Sequence, residues 1–94
     1  MNAGARPSVA AQLRSAVQQA LSPTHLEIID DSAAHAGHPG ARSGGHYRLT
    51  VISAAFEGCT PLQRHRLVYA AVAPLMNGAI HALNITARTP AEKG

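Results

Sequence analysis

The chain has 94 residues, a formal net charge of +3, six histidines, one cysteine and only three aromatic residues. One cysteine excludes an intramolecular disulfide scaffold, and no apolar run approaches the ~18 residues of a membrane-spanning helix. The positive balance permits contact with nucleic acid without demanding it, because no run of Lys and Arg is present to follow a phosphate backbone.

Val9, Leu13, Ala16, Val17, Ala20 and Leu21 recur at helical spacing and predict a helix over about 9–21 with one buried stripe. Ser8 is placed to cap it, and Ser22-Pro23 stops it, since a residue before proline is driven out of the helical region. The first 26 residues hold Arg6 and Arg14 and no acid, a composition shared with mitochondrial transit peptides. The amphipathic helix accounts for them better, so a cytoplasmic location is expected, with a mitochondrial one as the alternative.

Leu26 and Ile28 alternate with His25 and Glu27, which predicts a short strand over 24–31. Ser32 to Gly45 is rich in Ala, Gly and His and offers no face to bury, so it reads as a long loop. Loops of that length in a small domain are more often functional than idle. Alternation resumes from His46 to Ser53, with Tyr47, Leu49 and Val51 on one face. A connector over 54–59 carries Phe56, able to fold inward, and Gly58, free to turn.

Thr60-Pro61-Leu62-Gln63 is a helix start with a mechanism. Thr60 caps, Pro61 occupies the first helical position, and Gln63 reaches back to the amide of the cap. Leu67, Val68, Ala71, Val72, Leu75 and Met76 extend the helix, and Asn77-Gly78 ends it through a left-handed glycine. A last strand over about 79–87 alternates Ile80, Ala82, Asn84 and Thr86 against His81, Leu83, Ile85 and Ala87. Thr89-Pro90 opens either a final helical turn or a frayed tail, and residues 1–8 and 89–94 are expected to be flexible.

The element order α-β-β-α-β implies an α+β two-layer domain spanning 1–94. Its sheet has three strands and is mixed, with both helices on one face, because a strand–helix–strand crossover makes a right-handed parallel pair.

Chemistry-bearing residues are few. His81 opens the last strand, His35 and His38 stand in the long loop, and Arg64-His65-Arg66 concentrates charge at the start of the second helix. Imidazole suits iron, copper and zinc. Without context, however, a strand histidine is usually a structural hydrogen-bonding group, and two loop histidines are a weak metal signal. Cys59 reads as an incidental thiol, although a helix start nearby can depress a thiol pKa. No carboxylate pair, nucleophile–base pair or phosphate-cradling loop stands in a credible context, so no enzymatic activity is expected.

Several of these local motifs occur in an order that resembles the BolA family. They are Leu26-Glu27-Ile28 with Asp31-Ser32, His46-Tyr47-Arg48, Phe56-Glu57-Gly58, Arg64-His65-Arg66-Leu67-Val68-Tyr69, His81-Ala82-Leu83 and Thr89-Pro90. The resemblance covers about residues 21–92 and implies a small α+β domain similar to the class II KH topology. It also implies a function: partnership with a monothiol glutaredoxin, with which the BolA-like chain shares a glutathione-assisted 2Fe–2S cluster. In that picture His81 is one ligand. The second comes from the 32–45 loop, which lacks cysteine, so the chain resembles the histidine-ligand type. His35 is favoured for that role over His38, and His46 is a weaker candidate. Imidazole in place of thiolate would raise the cluster's potential, as in Rieske centres. His65, flanked by arginines, suits a fold or partner contact better than a metal.

The rival implication is a DNA-binding transcriptional regulator. KH domains clamp a nucleic-acid backbone with a Gly-x-x-Gly loop between helices. Here Gly37-His38-Pro39-Gly40 lies between two strands. Arg64 and Arg66, with Arg48 and Arg88, would have to supply the phosphate contacts.

Overall fold

The computed structural model describes residues 8–31 and 45–92. Helix α1 spans Val9–Leu21, strand β1 His25–Asp30, strand β2 Gly45–Ile52, helix α2 Pro61–Val72 and strand β3 Ile80–Arg88. Short 3-10 turns at Ala54–Phe56, Ala73–Met76 and Pro90–Glu92 link or follow them.

The helix starts follow from local chemistry. The Ser8 hydroxyl accepts the amide of Ala11 at 3.0 Å. Gln63 N donates to Thr60 Oγ1 at 3.1 Å, and Thr60 N donates to Gln63 Oε1 at 2.8 Å, completing a reciprocal cap. Pro23 forces Ser22 out of the right-handed region, and Ser22 leaves through the left-handed one, with φ of 43°.

The end of α2 departs from the expectation of a helix to residue 76. Pro74 has no amide to donate to Ala70, and its ring crowds that carbonyl, so the last turn tightens into a 3-10 turn from Ala73. Gly78 does adopt positive φ, 102°, but as the turn into β3 rather than as the helix cap. Leu67, counted in the buried stripe, is exposed, whereas Val68 and Val72 are fully buried. Of the tail's two readings the structure has the helical turn: Thr89 is buried, and Glu92 N bonds Thr89 O at 3.0 Å.

The sheet order is β1-β2-β3, with β2 antiparallel to β1 and parallel to β3. α2 supplies the crossover. Pairs such as Leu26 with Val51 and Ile28 with Leu49 set the inward face of β1 against that of β2. Leu13, Val17 and Leu21 of α1 and Val68 and Val72 of α2 cover Tyr47, Leu49, Val51, Ile80 and Ile85. Both helices therefore lie on one face, and the other face carries His25, Glu27, His46, Arg48, Thr50, Asn84 and Arg88 by alternation. Phe56 is the only phenylalanine and is fully buried in this core.

Ser53 joins the two layers. Its buried hydroxyl donates to Leu21 O at the end of α1 and accepts the amide of Ala55 at 3.0 Å. Ser53→Ala would leave both groups without that partner in a buried setting, which costs about 1–3 kcal/mol. Ser8→Ala, at an exposed cap, should cost about 1 kcal/mol. Urea denaturation of both variants checks the order, and a neutral Ser53→Ala would contradict the linking role.

Candidate metal centre

Strict alternation in β3 would set His81 on the same face as Leu83, Ile85 and Ala87. The structure corrects this. Gly45 pairs with Ile80 and His46 with Ala82, so one step along β2 matches two along β3. This is a one-residue bulge. Ile80 stays buried, Leu83 and Ile85 turn inward again, and His81 and Ala82 are both exposed. Bulges bend a strand and re-aim a side chain in this way.

The bulge brings His81 onto the helix-free face beside His46, with ring centres 5.2 Å apart and planes inclined by 46°. His46, the weaker ligand candidate, thus stands beside His81. Gly45 precedes it with its backbone against the Tyr47 ring, and a Cβ there would overlap that ring. A cavity of about 230 Å³, open to solvent, lies alongside and is lined in part by Asp31, His46, Arg48, Ala82 and Asn84. Arg48 Nε approaches Asp31 Oδ2 at 3.3 Å. With Arg48 well exposed, that ion pair contributes little to stability.

The same sheet end is where the long loop leaves and returns. Asp31 N bonds His46 O at 2.7 Å, and Gly45 N bonds Ala79 O at 3.1 Å. His35 and His38, the two loop candidates, lie outside the described residues. Among the described residues, no group of three or more His, Cys, Asp or Glu side chains converges. Cys59 is remote from His81. Arg64 ties the Cys59 carbonyl to that of Ala87, roughly 20 Å along β3 from His81 at about 3.3 Å per residue.

Arg64 itself is committed to the fold. Its Nη1 donates to Ala87 O at 3.2 Å and to Glu92 Oε1 at 2.6 Å, and its Nη2 donates to Glu92 Oε2 at 3.2 Å. A two-pronged carboxylate pair of this kind holds geometry as well as charge. Glu92 Oε1 also accepts the Thr89 amide at 2.9 Å. Arg66 is exposed on α2, in the helix layer, whereas Arg48 and Arg88 lie on the opposite face of the sheet. The arginines proposed for phosphate contact therefore do not form one surface. His65 is exposed on α2, and Tyr69 donates to Leu83 O at 3.4 Å, placing a half-exposed aromatic ring beside the His81 segment. The apolar groove between α1 and the end of α2, about 320 Å³, has no titratable lining residue.

A family model described as BolA-like protein matches residues 17–92. The chain belongs to the BolA family. It is 50% identical over 91 residues to BolA-like protein 1 of Pongo abelii and 49% identical over 89 residues to that of Homo sapiens. These matches cover 97% and 95% of this chain. The chain spans only 65% and 64% of the length of those two relatives. Among solved structures, BolA1 from Arabidopsis thaliana superposes with a TM-score of 0.83 at 35% identity, covering 96% of this chain and all of that one. The BolA fold is thus the one derived above. Among the described residues no helix is long and apolar enough to cross a membrane.

The Arg64 clasp predicts a pH dependence. Its hydrogen bonds, with that from Thr89, lower the Glu92 carboxyl from 4.5 to about 2. A depressed folded-state pKa means that the contribution is complete above 4.5 and is lost as pH falls towards 2. The melting temperature of the parent chain should exceed that of Glu92→Gln at neutral pH, and the gap should close between those limits. A gap independent of pH would show that the carboxylate charge plays no part.

Proposed function

We propose that this BolA-family chain is the histidine-bearing partner of a monothiol glutaredoxin and shares with it a glutathione-assisted 2Fe–2S cluster in assembly, trafficking or iron regulation. The observation that supports this reading is the bulge, which directs His81 away from the core at the sheet end where the long loop begins. In sequence His35 follows Asp31 by four residues, a reach of at most about 14 Å for an extended chain. His38 follows by seven residues. Both loop histidines thus follow closely in sequence on Asp31, whose amide bonds His46 O.

The donor set fits such a cluster. Imidazoles are present, the one thiol is distant, and two imidazoles leave half of the four ligand positions to a partner. When bound, the cluster supplies one-electron chemistry at a potential raised by imidazole ligation. The chain's own part is to present neutral imidazoles. His81 is held by the backbone of β3. His35 lies nearer in sequence to the end of β1 than His38, so it is the favoured second ligand. The half-exposed Tyr69 ring, whose hydroxyl donates to Leu83 O, offers contact to a partner that approaches His81.

DNA binding by the Arg64–Arg66 segment is the weaker reading. Arg64 is engaged by Glu92, so Arg64→Ala tests the fold at least as much as any phosphate contact.

The test is reconstitution with a monothiol glutaredoxin, glutathione, iron and sulfide, followed by visible absorption and circular dichroism. The mixture should give a stable heterodimeric cluster, and the chain alone should not. Damage should fall in the order His81→Ala, His35→Ala, His38→Ala, with unchanged helix content. Bleaching by His38→Ala with His35→Ala intact would exchange the loop ligands. An intact spectrum in His81→Ala would sink the reading.

A further inference from the structure

We propose that the outer edge of β1 is a strand-pairing surface for a second copy of this chain, joining the sheets of the two copies into one. This inference does not depend on the shared cluster, because β1 and the His81-bearing β3 are opposite edges of the sheet.

The two edges are finished differently. Ser53 N bonds Arg88 O across the parallel ladder, so odd-numbered residues of β2 turn their backbone groups to β3 and even-numbered ones to β1. The bond from Asp31 N to His46 O agrees with that assignment. Leu83, Ile85 and Ala87 therefore direct their backbone outward from β3, and Leu26, Ile28 and Asp30 direct theirs outward from β1. Two of the outward carbonyls of β3 are already occupied. Tyr69 donates to Leu83 O at 3.4 Å and Arg64 to Ala87 O at 3.2 Å. On β1, no described residue bonds the outward amides and carbonyls of Leu26 and Ile28. The strand, His25–Asp30, also contains no proline or lysine, the residues that commonly guard an exposed edge.

Charge selects the occupant and its register. Two copies related by a twofold axis pair antiparallel, and each residue meets a partner on the same face of the sheet. Such a pairing can centre on Glu27, Ile28 or Ile29. Centring on Glu27 sets the two Glu27 carboxylates directly opposite one another. Centring on Ile29 sets each Glu27 opposite Asp31. Like charges placed directly opposite destabilise a sheet. Centring on Ile28 has neither conflict. It sets Ile28 against Ile28, Leu26 against Asp30, Glu27 against Ile29 and, at both ends, His25 against Asp31. Ile29 is 45% exposed in the single chain and would be covered by the apolar stem of Glu27. The Asp31 carboxylate, whose neighbour in its own copy is the well-exposed Arg48, gains an imidazole donor. The chain's own β1 is thus complementary to itself in one register. A single strand edge buries less than the ~1,200 Å² of a stable interface, so the dimer is transient, with a dissociation constant of about 0.1–1 mM.

Sedimentation and amide hydrogen exchange of the full chain up to about 1 mM test the proposal. A dimer should appear as concentration rises, with protection gained at the amides of Leu26 and Ile28 and unchanged at Leu83, Ile85 and Ala87. His25→Glu, at an exposed position, puts an acid opposite Asp31 and should weaken association by about fivefold. Register is read by Glu27→Cys, Ile28→Cys and Ile29→Cys, each combined with Cys59→Ser. Only the two copies of position 28 face each other, about 5.5 Å apart between Cα atoms and within disulfide reach. Position 27 and position 29 each lie about 8 Å from their own copy, beyond that reach. Ile28→Cys should therefore cross-link most completely, and amide spectra of each variant establish that it is folded. Preferential cross-linking at 27 or 29, or association that His25→Glu leaves unchanged, would overturn the proposal. So would protection gained on β3 instead of β1. A parent chain that stays monomeric at about 1 mM would also overturn it and leave this edge to an extended segment of another protein. These measurements contain no iron, sulfide or glutaredoxin, so failure of cluster reconstitution would leave their result standing, and the reverse holds as well.

Discussion

One extra residue in β3 governs the rest of this structure. The core requires Ile80 under the end of α2, and it also requires Leu83, Ile85 and Ala87 against the inward face of β2. In a strand with a period of two, Ile80 and Leu83 cannot both face inward. The bulge at His81 resolves that conflict by placing two consecutive side chains outside. A histidine is thereby held on a rigid strand yet presented to solvent, in register with a second histidine on β2. Packing and chemistry are thus coupled: the hydrophobic requirement for two inward segments fixes the direction in which the imidazole points.

The two ends of the sheet have different tasks. At one end His46, His81, Asp31 and the ends of the long loop come together, with His81 exposed and His46 and Asp31 half-buried. At the other, Arg64 gathers the carbonyls of Cys59 and Ala87 and the carboxylate of Glu92 into one clasp. That clasp seats the last 3-10 turn against the start of α2. It also explains why the charged Arg64-His65-Arg66 segment is not one functional unit. Arg64 faces the fold, while His65 and Arg66 face solvent. Concentration of charge in sequence did not translate into concentration of charge on a surface.

Backbone bonds from Asp31 and Gly45 anchor the sheet at the two points where the 32–44 segment leaves and rejoins it. Gly45 is constrained at that anchor by the Tyr47 ring, which leaves no room for a side chain. Removing the bulge at His81 would turn either Ile80 or Leu83 away from the core.

Much of this was legible in the residues alone. The starts of α1 and α2, the three strands, the mixed sheet with helices on one face, and membership of the BolA family all follow from signals local in sequence. Caps act within one helical turn, and alternation reports burial within one strand. What needed the tertiary structure depends on pairs far apart in the chain. The phase of β3 is set by its register on β2, so alternation read through His81 put it on the wrong face. The place of His46 beside His81, the capture of Arg64 by Glu92 and the bond from Ser53 to Leu21 each join segments more than 25 residues apart. No local pattern encodes such contacts. The amino-acid order determined which residues could carry the chemistry, and the packing of distant strands decided which of them meet.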